Sequence, residues 1–307
     1  MKKSFFWLLY VLVSSAGPAQ AAIIYESAGG PATGSPIVAS APFLWTASTA
    51  MSIGNQIVDS NNNMQQVTAV TGDATTDGSA PSWATSIGAN TTDHNVTWTV
   101  TQNPATNGVE TGDLLVAFVG YGYLGQSGGA ITGPTGWTKV LDAADGTPSG
   151  FDWVHGTVWV KLATASEPST YSFSTTYQGY GRIMDFRGTS ASSPTDTGSV
   201  NDNTGTALAA LSVNPTFAND MSLACYYAAP NNASFGAPPG SFTPAFVDLL
   251  GPFGGGACFY RLLPTRSATG DQPMTISVGQ YWAAFQLLLE DAVPVGSATG
   301  LIIRDAD

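Results

Sequence analysis

Charge is scarce in this chain: 10% of its 307 residues are Asp, Glu, Lys or Arg, and 9 basic residues face 21 acidic ones for a formal net charge of −12. Nucleic acids are held by Lys and Arg that displace counterions from phosphates, and no basic cluster occurs here, so a nucleic-acid partner is excluded. Histidine is limited to His94 and His155, which leaves few general bases for a Ser or Cys nucleophile, and no Gly-x-Ser-x-Gly elbow is present. Asp152 stands three residues before His155, yet a His at a strand entrance reads first as a solvent-facing side chain. Two His and no Cys pair at ligand spacing exclude an all-protein zinc site unless carboxylates complete it. Structural calcium is the one cofactor the acidic residues admit, through Asp142 with Asp145 or Asp73 with Asp77, although neither pair follows an EF-hand spacing. Apolar runs are short, the longest (residues 282–289) being strand-sized, so no membrane span is expected. Capped runs of 3.6-residue period are missing too, which excludes a helical architecture.

Cysteine is limited to Cys225 and Cys258, each inside an apolar strand-like run. Two readings stay open: a bridge formed in an oxidising compartment, or two buried thiols packing as small hydrophobes. Neither is catalytic, because the flanks are core-like and no His is near in sequence.

Residues 1–21 have the layout of an export signal: Lys2 and Lys3, an apolar stretch over residues 5–13, then Ala19-Gln20-Ala21. The mature chain is therefore expected outside the cell or at its surface. Residues 22–41, rich in Gly, Pro, Ser and Ala, read as a linker. Residues 42–102 read as a small β module with strands at 56–59, 64–70 and 96–100.

The most informative pattern is an echo within residues 103–291. Gly112-Asp113-Leu114-Leu115-Val116-Ala117 returns as Asn219-Asp220-Met221-Ser222-Leu223-Ala224, and Trp159-Val160-Lys161-Leu162 returns as Phe259-Tyr260-Arg261-Leu262. Residues 168–173 match 273–278, and residues 183–186 match 284–287. Short apolar strands alternate with Gly and Pro turns. The expected fold is all-β: a jelly-roll-like antiparallel β-sandwich built from two similar halves and preceded by the small module, with residues 292–307 as a tail.

Glu110, Asp113, Glu167, Asp185 and Asp248 are the carboxylates available for a glycosidase-type pair. Asp113 recurs as Asp220 in the second half, and recurrence beside equivalent turns favours a structural contact. Aromatics remain as the binding signal. Trp45, Trp83 and Trp98 crowd the small module with Asp93 close by, and exposed indole faces stack on sugar rings while polar neighbours take the hydroxyls. The competing use is as core, since Trp98 alternates with Val96 and Val100 on one strand face. Trp137, Trp159 and Trp282 take core-like positions in the repeat.

The run through Trp45, Ile57-Val58-Asp59-Ser60-Asn61, Ser79-Ala80-Pro81-Ser82-Trp83, Thr92-Asp93 and Val96-Thr97-Trp98 resembles a small β module of bacteriophage tail and virion proteins, similar in layout to chitin-binding modules. Asp93-His94-Asn95 replaces the Asp-Gly turn usual before Val-x-Trp. The run through Gly133-Pro134-Thr135-Gly136-Trp137-Thr138, Val158-Trp159-Val160-Lys161 and Asp185-Phe186-Arg187-Gly188 resembles a family of β-sandwich proteins of phage tail fibres, prophages and secreted bacterial proteins. The resemblances bear on fold, and the family has no established reaction. The aromatic-rich, basic-poor composition without a catalytic constellation leads to the expectation of an exported, non-catalytic protein that binds or builds at a cell or virion surface, with a glycan as partner. The alternatives are a self-associating subunit of a fibre, appendage or tail, and a polysaccharide-degrading enzyme.

Overall fold

A computed structural model describes residues 23–292, apart from 103–108, 124–128, 146–152, 230–233, 249–253 and several one- or two-residue gaps. The export-signal stretch and all but the first residue of the tail lie outside the described residues. Eighteen strands and no helix make up the described chain. The N-terminal region holds β1 (Ile24–Ala28), β2 (Ala32–Gly34) and β3 (Ile37–Ser40). The small module holds β4 (Phe43–Leu44), β5 (Gln56–Val58), β6 (Met64–Val70), β7 (Asn90–Asp93) and β8 (Val96–Gln102). Next come β9 (Leu114–Tyr123), β10 (Thr138–Asp145), β11 (Trp153–Leu162), β12 (Thr170–Phe173) and β13 (Gly179–Arg187). The second half holds β14 (Thr195–Ala210), β15 (Met221–Ala228), β16 (Thr243–Val247), β17 (Gly255–Leu262) and β18 (Gln272–Leu289).

Two large antiparallel sheets face each other, and each is built by one half of the repeat. The first runs β1-β13-β9-β11-β10 and the second β14-β18-β15-β17-β16, the same order read in the same sequence of strands. The fold is thus an antiparallel all-β sandwich in which each half supplies one of the two facing sheets. Residues 22–41 are not the linker their composition implied. They supply β1 and β2, which pair with β13, and β3, which pairs with β12, as the single long β14 pairs along β18. Small residues serve there because strands can be held by backbone hydrogen bonds without bulky side chains. The small module is then an insertion between β3 and β9, where the second half has only residues 211–220 between β14 and β15.

Register fixes the equivalence of the halves. Leu114 pairs with Leu162 and Phe186, and Met221 with Leu262 and Leu289. Phe186 therefore corresponds to Leu289, two residues beyond the position that sequence matching assigns; an even shift keeps every side chain on the same face. The turns before β9 and β15 are copies as well. Gly112 and Asn219 both take positive φ (95° and 70°). Ala163 N donates to Asp113 O and Leu263 N to Asp220 O, both at 2.8 Å.

Three apolar layers explain why the central strands read as unbroken hydrophobic runs. Leu114, Val116, Phe118, Met184 and Phe186 meet Leu223, Cys225, Tyr227, Phe285 and Leu287 between the sheets. On the outer face of the first sheet, Leu115, Ala117, Val119 and Trp159 are covered by Ile37, Ala39, Tyr171 and Phe173 of the β3–β12 pair. On the second, Ala224, Tyr226, Phe259 and Trp282 are covered by Leu208, Ala210, Met274 and Ile276. A strand buried on both faces loses the alternation of a half-exposed one. Glycines let the sheets close: a Cβ on Gly120 would sit 2.8 Å from the Tyr227 ring, and one on Gly156 2.8 Å from Phe285. Cys225 and Cys258 are direct cross-strand partners on β15 and β17 and form a disulfide, which settles the two readings in favour of the bridge.

Candidate functional site

The inserted module leans against the sandwich and leaves a cleft of about 610 Å³ between them. One wall is β1 and β17, where Tyr25 and Tyr260 stack with ring centroids 4.7 Å apart and planes 26° from parallel. The facing wall is module: Gln56, Gln66, Thr68 and Thr101 offer amides and hydroxyls. Gln56 also ties the two bodies together, its Oε1 accepting from Ala28 N at 3.1 Å and lying 3.3 Å from Tyr25 Oη. Tyr25 Oη in turn reaches Ala245 O at 2.9 Å. Ile53 and Val247, exposed to 61% and 46%, form apolar parts of the lining.

Arg182 lines the same cleft and anchors it. Its Nη1 donates to both oxygens of Asp248 at 2.6 and 2.8 Å, and its Nε donates to Gly29 O at 2.6 Å. Tyr180 Oη donates to Asp248 Oδ2, and the guanidinium lies over the Phe246 ring. Burial, then the Asp248 charge, keeps the Tyr180 phenol protonated far above its ordinary range. The pair joins the first sheet to the segment after β16, so the cleft has a rigid base.

The module tryptophans are gathered where the sequence placed them, but they face inward. Trp98 is fully buried, Trp83 nearly so, and the two meet edge to face at 5.8 Å. Asp93, itself 2% exposed, accepts from Trp98 Nε1 at 3.2 Å, from Trp45 Nε1 at 2.7 Å and from Asp77 N at 2.8 Å. Sugar stacking by Trp83 and Trp98 is therefore corrected: with Met51, Ile57, Val67 and Val96 they are the module's core, which so few aliphatics could not form alone. Trp45 packs half-buried against them, and Asp93 is the polar latch that satisfies both indoles.

Most of the remaining reactive side chains are tied up structurally, but both carboxylate oxygens of Glu26, which also lines the cleft, and both of Asp185 are buried without a hydrogen-bond partner. Asp113 accepts from Arg187 Nε and Nη2, both at 3.0 Å, and from Glu110 N at 2.7 Å. Glu26, Glu110, Asp113 and Asp185 all surround that one arginine; burial raises Asp185 to about 9 and Glu26 to about 7. Glu167 bonds Lys161 and the N and Oγ1 of Thr164. His155 is not the solvent-facing residue expected: only 12% of its side chain is exposed, its Nε2 is 2.6 Å from Asp142 Oδ1, and its Nδ1 is 3.3 Å from Tyr121 Oη. Burial raises Tyr121 to about 12, with Tyr177 and Asp142 adding to it. Asp142 also bonds Lys139, and although partial burial opposes it, these two partners hold its carboxyl below the ordinary range. Asp73 accepts from Asn95 Nδ2 at 2.7 Å. Among the described residues no group of three His, Cys, Asp or Glu is placed to hold a metal ion.

Tyr25 and Tyr260 escaped sequence reasoning because one lies in the supposed linker and the other among core-like repeat residues. No local pattern signals a cleft made by an insertion folding back on a distant strand. Comparison with protein-family models, with curated proteins and with solved structures returns no match. No helix among the described residues is long and apolar enough to cross a membrane.

Proposed function

We propose that this is an exported, non-catalytic binding protein of a cell or virion surface, and that it holds a glycan segment in the cleft between the inserted module and the sandwich. One observation carries the reading: stacked tyrosines face amides and hydroxyls across a concave site of about 610 Å³. Aromatic faces take the apolar side of a sugar ring, and neutral polar groups take its hydroxyls. Low charge and the export-like first residues fit an extracellular setting, and the resemblance to virion and secreted surface proteins points the same way. The alternative, a subunit that polymerises through sheet edges, has less support. The edge strands β10 and β16 are both bulged and β16 carries Pro244, devices that discourage edge pairing.

A glycan array with the mature chain tests this, followed by titration of Tyr260→Ala and Gln66→Ala on any hit. Retention of a defined oligosaccharide, weakened about tenfold or more by either variant with unfolding unchanged, is expected. Absence of retention on a broad array, or binding indifferent to both variants, overturns the cleft as the site. Trp98→Ala serves as the contrast, since its effect should fall on folding.

A further inference from the structure

The strongest unexplained group lies on the other side of β17. Side chains alternate along a strand, so Tyr260 faces the cleft while Arg261 points to the outer face of the second sheet. There Arg261 borders a second concavity of about 420 Å³, shared with Ser241, Thr265, Ser267 and Thr269. Among the described residues, Lys139, Lys161, Arg182 and Arg187 each sit against a carboxylate. Arg261 has no carboxylate partner among the described residues, and neither has the exposed Arg266 in the loop that follows β17. Its Nη1 donates to Ser241 Oγ at 3.0 Å, its guanidinium lies 4.7 Å above the Phe242 ring, and its Nε is buried with no acceptor.

The two halves show that this vacancy is particular to the second. Lys161 is the counterpart of Arg261 and is neutralised by Glu167. In the second half the acidic residue nearest in sequence, Asp271, accepts from Ser212 N at 2.9 Å. The first copy closes its cation on itself; the second keeps a planar, five-donor cation stacked in one orientation, beside hydroxyls, with a donor unsatisfied.

We propose that this pocket binds an oxyanion, a carboxylate or sulfate, carried at the end of an acidic glycan. A guanidinium fork fits such a group with two parallel hydrogen bonds, and the stacked ring fixes its plane. The formal net charge of −12 opposes a densely charged polymer and favours a single acidic end. The glycan as carrier rests on the reading in the preceding section; the oxyanion chemistry does not.

Calorimetric titration tests it with four probes: an oligosaccharide ending in glucuronate, its sulfated analogue, the neutral glucose analogue, and inorganic sulfate. An acidic sugar should bind about tenfold or more tighter than the neutral one, as expected of a charge-assisted hydrogen bond. Arg261→Gln should abolish that difference, and Arg261→Lys should restore only part of it because an ammonium lacks the planar fork. Ser241→Ala should weaken binding several-fold. Which of glucuronate and sulfate binds tighter names the group. Equal binding of acidic and neutral sugars by the wild type, or an acidic preference that survives in Arg261→Gln, overturns the proposal. Tyr260→Ala separates the two sites: if it removes neutral-sugar binding while no probe shows dependence on Arg261, the cleft stands and this inference fails. Sulfate binding that needs Arg261 in a protein retaining no sugar would leave the oxyanion site standing and remove its glycan carrier.

Discussion

The Arg182–Asp248 pair offers the sharpest test of how the sandwich is held. Both side chains are buried between the sheets, at 1% and 9% exposure, and Asp248 accepts two bonds from Arg182 and one from Tyr180. Replacing Asp248 by Ala leaves a guanidinium in a low-dielectric layer without its counter-charge. Breaking one side of such a pair costs about 3–5 kcal/mol, which for a domain this large is roughly 6–20 °C in melting temperature. Arg182→Met with Asp248 intact should cost a similar amount for the opposite reason. The double variant, Arg182→Met with Asp248→Leu, removes both charges and fills the space, so its loss should be far smaller than the sum. A double-mutant cycle by chemical denaturation measures the coupling directly. If either single variant costs under about 1 kcal/mol, or if the losses simply add, the pair is solvated enough to be incidental and the account of the cleft's rigid base is wrong.

Two further outcomes follow from buried chemistry. Reduction of Cys225–Cys258 opens a link across a sequence separation of 33 and should cost about 3–4 kcal/mol on the loop-entropy view; an unfolding midpoint that does not move with reductant refutes this. Alkaline pH should weaken the fold. Asp185 and Glu26, facing Arg187, Asp113 and Glu110, have folded-state pKa values raised to about 9 and 7, so the native state keeps protons that the unfolded chain has released. Their favourable share is complete below the unfolded carboxylate range and drains away as pH climbs to about 9, at up to about 1.4 kcal/mol per pH unit for each proton. Melting temperature should fall from pH 6 to 9, and Asp185→Asn should flatten that slope; a flat wild-type profile refutes the reasoning.

Much of the architecture was legible because strand pairing leaves a periodic trace. The β15 boundaries follow the apolar run at residues 221–228, and Leu114 and Trp159 match Met221 and Phe259 as the echo has them. Sequence matching sets the last strand two residues out of register because apolar positions recur every second residue and neighbouring frames look alike. The composition of residues 22–41 conceals its strands because strand identity there comes from partners, β13 and β12, that lie 130 or more residues away. The module tryptophans were correctly grouped, but whether an indole faces sugar or core depends on the volume a small fold must fill.

Composition and repetition alone determined an all-β chain of two similar halves, because alternation, turn residues and duplication are written locally. Tertiary structure alone decided that the first strands belong to the first half, that the cysteines meet, and that Tyr25 and Tyr260 face Gln66 across a cleft. It also decided that Arg261 is left without the carboxylate its counterpart has. Each of these depends on which distant segments come within a few ångströms, and that is a property of the packed chain.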